Sequence, residues 1–228
     1  MRVLENAKEK VQKYNDYDSE RVKKGKKGYN DAYHRILRAR QGNPSLVNAD
    51  GTVSDDSIDL VEQTMIAFDM KIFGQIDDQF KNTLKNALST KENRALMKDL
   101  RDCTILINIE TIKSDTKRLF ENLSCKATLS AKWFIFGVGA TKIMNFLFPE
   151  LFVILDRNVK ETLSIPQGRS LCFDDYWKAM DTCRRELGEW QKEIGTIEEL
   201  KSLDEFPTTP IRIFDKCAFM MGRRIRSA

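Results

Sequence analysis

Asp156 follows the apolar run Phe148-Pro149-Glu150-Leu151-Phe152-Val153-Ile154-Leu155 and precedes Arg157-Asn158-Val159-Lys160. An acid placed there opens a helix, whose first amides hold its carboxylate ionised and rigid. Such a group can stabilise a developing cation or orient an attacking water. It can equally be a plain N-cap, worth ~1 kcal/mol over alanine. Upstream, Gly137-Val138-Gly139 stands between two apolar stretches of helical character. Two glycines around one apolar residue let two helices turn back sharply on each other, with Val138 filling the space beneath the turn. The glycine amides and the first amides of the second helix, which carries Thr141 and Lys142, would then face outward and suit a phosphate oxygen. Lys132 and Lys142 flank the turn, Lys126 lies upstream, and Arg157 and Lys160 follow the acid. A helix–turn–helix that binds nothing has the same pattern.

Other chemistries find few residues. His34 is the only histidine, which excludes histidine-based metal clusters and disfavours a Ser-His-Asp arrangement. With Tyr33 and Arg35 beside it, His34 reads as a helix-surface residue. The cysteines Cys103, Cys125, Cys172, Cys183 and Cys217 make no CxxC or zinc spacing and read as reduced core residues. Asp50-Gly51-Thr52 starts like a calcium loop but lacks the later ligands and the closing glutamate. No metal and no organic cofactor is implied.

The elements around these residues are helical. Val3 to Tyr14 and Ser19 to Arg40 carry a helical stripe, interrupted by Lys-Lys-Gly-Lys-Lys-Gly ending at Gly28. That stretch reads as a charged hinge whose glycines and lysines could also approach phosphate. Residues 41–55 are polar and turn-rich, with a short hairpin expected between Val47 and Val53. Ser54 caps a helix bearing Ile58, Val61, Met65, Phe68 and Ile72, and a second covers Asp77 to Leu88. Ser89 to Glu92 matches a capping box, and the run Thr104 to Ile112 is expected as buried helix. Helices follow over Lys113 to Leu123 and from Phe173 to Ile194. Thr196 with Glu199 makes another capping box, and Thr209-Pro210 starts a last helix burying Ile211, Phe214, Ala218 and Met221.

The stretch from Ile135 to Lys160 resembles the helix-hairpin-helix motif and following aspartate of the helix-hairpin-helix base-excision DNA glycosylase superfamily. There a hairpin of the form LPGVGxKTA is followed, after one helix and a short apolar turn, by an aspartate opening the next helix. Ile135-Phe136-Gly137-Val138-Gly139 occupies the hairpin's place here, and Phe148 to Asp156 that of the turn and acid. The resemblance implies an all-α, two-lobed fold and nucleic-acid backbone contacts by Lys132, Gly137, Val138, Gly139, Thr141, Lys142 and Arg157. It also implies Asp156 as the catalytic acid of a flipped-base reaction. The nucleophilic lysine of bifunctional members falls on Thr141, with Lys142 one residue further and ~100° around the helix. The implied activity is therefore that of a monofunctional glycosylase, without lyase chemistry. Ile143 replaces the usual small alanine, Phe136 the proline, and the four cysteines of the iron–sulfur members are missing. A non-catalytic helical protein using the same scaffold to bind nucleic acid or another protein is the alternative.

The 228 residues suffice for one all-α domain, with the helix-hairpin-helix core at about 128–164. Five prolines and 11 glycines are too few for an all-β fold, which needs a turn signal every ~8–12 residues. The net charge of +4 permits a nucleic-acid partner without requiring one, because clustering matters more than the total. Clusters occur at Arg21, Lys23, Lys24, Lys26 and Lys27, at Arg35, Arg38 and Arg40, and at Arg223, Arg224 and Arg226. No apolar run reaches the ~18–20 residues of a membrane span, and the charged first residues lack a signal-peptide core. An intracellular protein is expected, with DNA as the expected partner.

Overall fold

The computed structural model describes residues 2–68, 78–106, 109–124, 137–167 and 171–227, without the side chains of 78–79 and 224–227. Eleven α-helices and one 3-10 turn occur among them, and no strand. They are α1 (Ala7–Lys23), α2 (Tyr29–Ala39), α3 (Asp55–Ala67), α4 (Asp78–Ser89), α5 (Lys91–Leu100), α6 (Lys113–Leu123), α7 (Gly137–Leu147), α8 (Arg157–Thr162), α9 (Phe173–Glu193), α10 (Ile197–Lys201) and α11 (Pro210–Ser227). The all-α expectation holds.

Local rules account for five helix starts. The Ser54 side chain accepts from the Ser57 amide, and Thr209 from the Arg212 amide one turn into α11. Thr196 and Glu199 close the expected capping box. At α5 the cap is Thr90 accepting from Asn93, so Ser89 and Glu92 form no box. α2 begins at Gly28, which has no capping side chain. Asp18 of α1 takes that role from across the turn, accepting from the Tyr29 amide at 2.7 Å and the Asn30 amide at 2.9 Å. A side chain at position 28 would meet Val22 at 3.0 Å and Asp18 at 3.4 Å, so the glycine makes room for the borrowed cap.

The helices sort by contact. α11 packs against α1, α8, α9 and α10, whereas α3 packs against α2, α4 and α7, and α6 against α5, α7 and α9. Phe148, Leu151, Phe152, Val153, Ile154 and Leu155, in the link from α7 to α8, are buried with the helices. Fully burying side chains of this size contributes ~1.5–3 kcal/mol each. Because the link is irregular, its amides and carbonyls need partners from outside it. The Thr141 hydroxyl accepts from the Leu155 amide at 3.2 Å and donates to the Val138 carbonyl at 2.9 Å. Asn145 donates to the Phe152 carbonyl, and Asp215 of α11 accepts from the Ile154 amide at 3.3 Å. Two helices thus fix the segment that delivers Asp156.

Several expectations yield to longer-range packing. Asn48 and Thr52 close a turn around Gly51, at φ 81, without strand pairing. The run from Thr104 departs from the expected buried helix: Ile105 bonds to the Glu150 carbonyl, Leu106 is exposed, and among its described residues Ile109–Ile112 form a 3-10 turn. Ile194 is exposed beyond the end of α9. Cys183 and Cys217 are buried as expected, but Cys172 is exposed at the start of α9, with its thiol 3.2 Å from Asp175. Ile72 and Cys125 lie outside the described residues.

Candidate functional site

Asp156 occupies the N-cap of α8, and its Oδ1 accepts from the amides of Asn158 at 2.8 Å and Val159 at 2.9 Å. α8 has only six residues, so its position depends on its neighbour α11. At the crossing, a Cβ on Gly222 would stand 1.9 Å from the Asn158 carbonyl oxygen, and the Thr162 hydroxyl donates to the Ala218 carbonyl at 2.6 Å. This close approach sets Asp156 beside the first turns of α11.

A cavity of about 30 Å³ lies there, lined by Asp156, Asp215, Arg212 and Lys142 among the rings of Tyr14, Tyr29, Phe68 and Phe219. That is room for about one water. Its walls come from α1, α2, the end of α3, α7, the α7–α8 link, α8 and α11.

The charges around it are buried and differently held. Arg212 donates to the Tyr14 hydroxyl at 2.5 Å and lies over the rings of Tyr14, Tyr33 and Phe68, at 4.9 to 5.2 Å. Burial works against its charge, and Tyr14 and Asp215 outweigh that, so the guanidinium stays protonated. Asp215 is only 2% exposed. Burial pushes its carboxyl well above the usual range, Arg212 draws it back, and Asp156 raises it further. Asp215 Oδ2 and Arg212 Nε have no hydrogen-bond partner among the described residues. Burial likewise raises the Tyr14 phenol, against the pull of Arg212. Lys142 donates to the Phe68 carbonyl at 3.2 Å, with its ammonium 5.7 Å from the centre of that ring.

A second buried network stands behind this one. Lys216 Nζ meets Asp204 at 2.5 Å and Asn15 at 2.8 Å, and Asn15 also takes a bond from Asn30. Burial lowers the Lys216 ammonium to about 8 despite the pull of Asp204. This network ties α1, α2 and α11 into a rigid wall.

The residues expected to grip nucleic-acid backbone are placed unequally. Gly137, Val138 and Gly139 form the first turn of α7 rather than the link before it. The hairpin's preceding residues, Lys132 included, lie outside the described residues, as does Lys126. A Cβ on Gly137 would stand 2.7 Å from Leu171 Cβ, so this glycine serves a close packing contact. Val138 is half-buried, and Arg157 is exposed. Thr141 and Lys142 are buried, their side chains given to the link and to the cavity. Asp156 is half-buried on the cavity wall, beside Lys142. Lys160, expected in the basic excess beyond the acid, is buried.

Sequence reasoning did not single out Asp215, Arg212 or Tyr14. The available signal was a charged pair, Arg212 and Asp215, three residues apart within the apolar stripe of Ile211, Phe214 and Ala218. No protein-family profile, curated protein or solved structure matches the chain.

Proposed function

We propose that the protein binds DNA through a helix-hairpin-helix scaffold and acts as a monofunctional glycosylase, with Asp156 as the catalytic acid. One observation carries this reading: Asp156, fixed through Oδ1 by two α8 amides, lines a cavity shared with a second carboxyl, Asp215, a guanidinium and four aromatic rings. An N-cap alone needs no cavity beside it. The contact pattern supports the two-lobed reading, since α1, α8 and α10 each pack on α11 whereas α3 to α7 pack among themselves.

The chemistry follows from the groups. Asp156 stabilises the cationic sugar as the base departs with the bonding electron pair. A water in the cavity, held by Asp215 and Arg212, delivers hydroxyl to C1′ and its proton to Asp156, which passes that proton to the departed base. The cavity is water-sized, so a base reaches Asp156 only when a wall ring moves. Phe219, half-buried, is the ring best placed to yield. Lys142, spent on Phe68, supports the wall rather than attacking the sugar.

The small cavity and the inward Thr141 and Lys142 favour a second reading, a scaffold that binds DNA or protein without chemistry. Incubation with duplexes carrying alkylated, deaminated or oxidised bases separates the two. The glycosylase reading expects a free base from at least one of them; duplexes that are bound but release none leave the scaffold reading.

A further inference from the structure

Basic residues from opposite ends of the chain meet on one face. Arg21, Lys24 and Lys26, from the end of α1 and the turn after it, join Arg223 of α11 around an open pocket of about 160 Å³, completed by Tyr17 and Glu20. Gly25, at φ 74, turns the chain so that both lysines line the pocket. Arg21 lies 3.9 Å over the ring of Tyr29, and Arg223 4.0 Å over that of Tyr17, which orients both guanidinium groups. Cations at the end of α1 also complement its carbonyls. That accounts for α1's own residues but not for Arg223, which arrives on another helix.

The pocket adjoins the Asp156 cavity through one layer of rings. Tyr17 lies 5.6 Å from Phe219, and both Phe219 and Tyr29 wall the cavity. We infer that this pocket binds a backbone phosphate of the strand whose base is offered to Asp156, an inference that rests on the DNA reading above for its ligand. Four cations against one carboxylate, Glu20, give the pocket its sign. The ring-stacked arginines supply planar donors and the lysines mobile point charges.

The test is duplex binding by the full chain across a salt series. The variant Lys24→Gln/Lys26→Gln/Arg223→Gln is compared with Lys8→Gln/Lys117→Gln/Lys192→Gln, which removes the same charge from exposed positions elsewhere. The pocket variant is expected to bind at least about tenfold more weakly at low salt, with the log–log salt slope smaller by about 1, the share of one phosphate. Lys26→Gln alone, on an exposed turn that tolerates it, gives a smaller loss of affinity in the same direction. Parent-like affinity and slope in the pocket variant, or an equal loss in the control, overturns the phosphate site. Pocket-dependent binding without base release from any damaged duplex keeps the site and removes the glycosylase reading. Base release with binding indifferent to the pocket does the reverse. A parent that binds no duplex at low salt overturns both.

Discussion

Gly222 and Asn158 are in backbone contact: a Cβ on Gly222 would stand 1.9 Å from the Asn158 carbonyl oxygen. Asn158 donates its own amide to Asp156, so this one crossing of α8 over α11 sets where the candidate acid sits. The overlap involves backbone, which cannot rotate away. Gly222→Ala is therefore expected to lower stability in chemical denaturation by ~1–3 kcal/mol, the usual cost of overpacking. A variant as stable as the parent would show that the crossing is looser than described.

The Thr141 hydroxyl bridges the Val138 carbonyl and the Leu155 amide. Thr141→Val keeps the shape and leaves that buried amide unpaired. A loss of ~1–3 kcal/mol is expected, larger than for an exposed threonine changed the same way. Urea denaturation of the two variants gives the comparison.

Much of the helical framework was legible because its signals are local. Ser54, Thr196 with Glu199, and Thr209-Pro210 each start a helix as their side-chain chemistry dictates. The core stripe of α11 was equally readable from spacing. Thr104 to Ile112 was not, since Ile105 there bonds to the distant Glu150. Asp156 was recognisable as a cap, but the cavity beside it depends on Asp215 and Arg212, which α11 brings from some sixty residues away in sequence. The Asp18 cap on α2 was hidden for the same reason: a helix start without its own capping residue borrows one through tertiary contact.

Lys216 gives stability a characteristic pH dependence. Its folded value, lowered by burial to about 8 from an ordinary 10.5, means the folded chain binds fewer protons than the unfolded chain between those limits. Stability should therefore rise with pH through that window, from a level held down below pH 8. Cys183 and Cys217, raised by burial, oppose this above about pH 9, and Tyr14, Tyr33 and Tyr176 above about pH 10. The rise is thus clearest between pH 7.5 and 9, by roughly 1 kcal/mol. Thermal melts of the parent and Lys216→Met check it. The variant, destabilised by the unpaired Asp204, should lack the rising limb.

Asp215 touches the same cavity and bonds to the Ile154 amide through Oδ1. Asp215→Asn retains an acceptor for that amide and removes the carboxyl that, with Arg212, holds the attacking water. Base release is expected to slow by ~10²-fold, with duplex affinity unchanged. Unaltered release would confine Asp215 to holding the α7–α8 link.

The most direct measurement is single-turnover release of a damaged base by the parent and by Asp156→Asn, on a duplex both proteins bind. Asparagine caps a helix as well as aspartate does, so the variant should keep the α8 start, the melting temperature and the DNA affinity. The account predicts release by the parent and a rate at least about 100-fold slower for the variant. Equal release by the two proteins would contradict it, and would leave Asp156 as the cap of α8 alone.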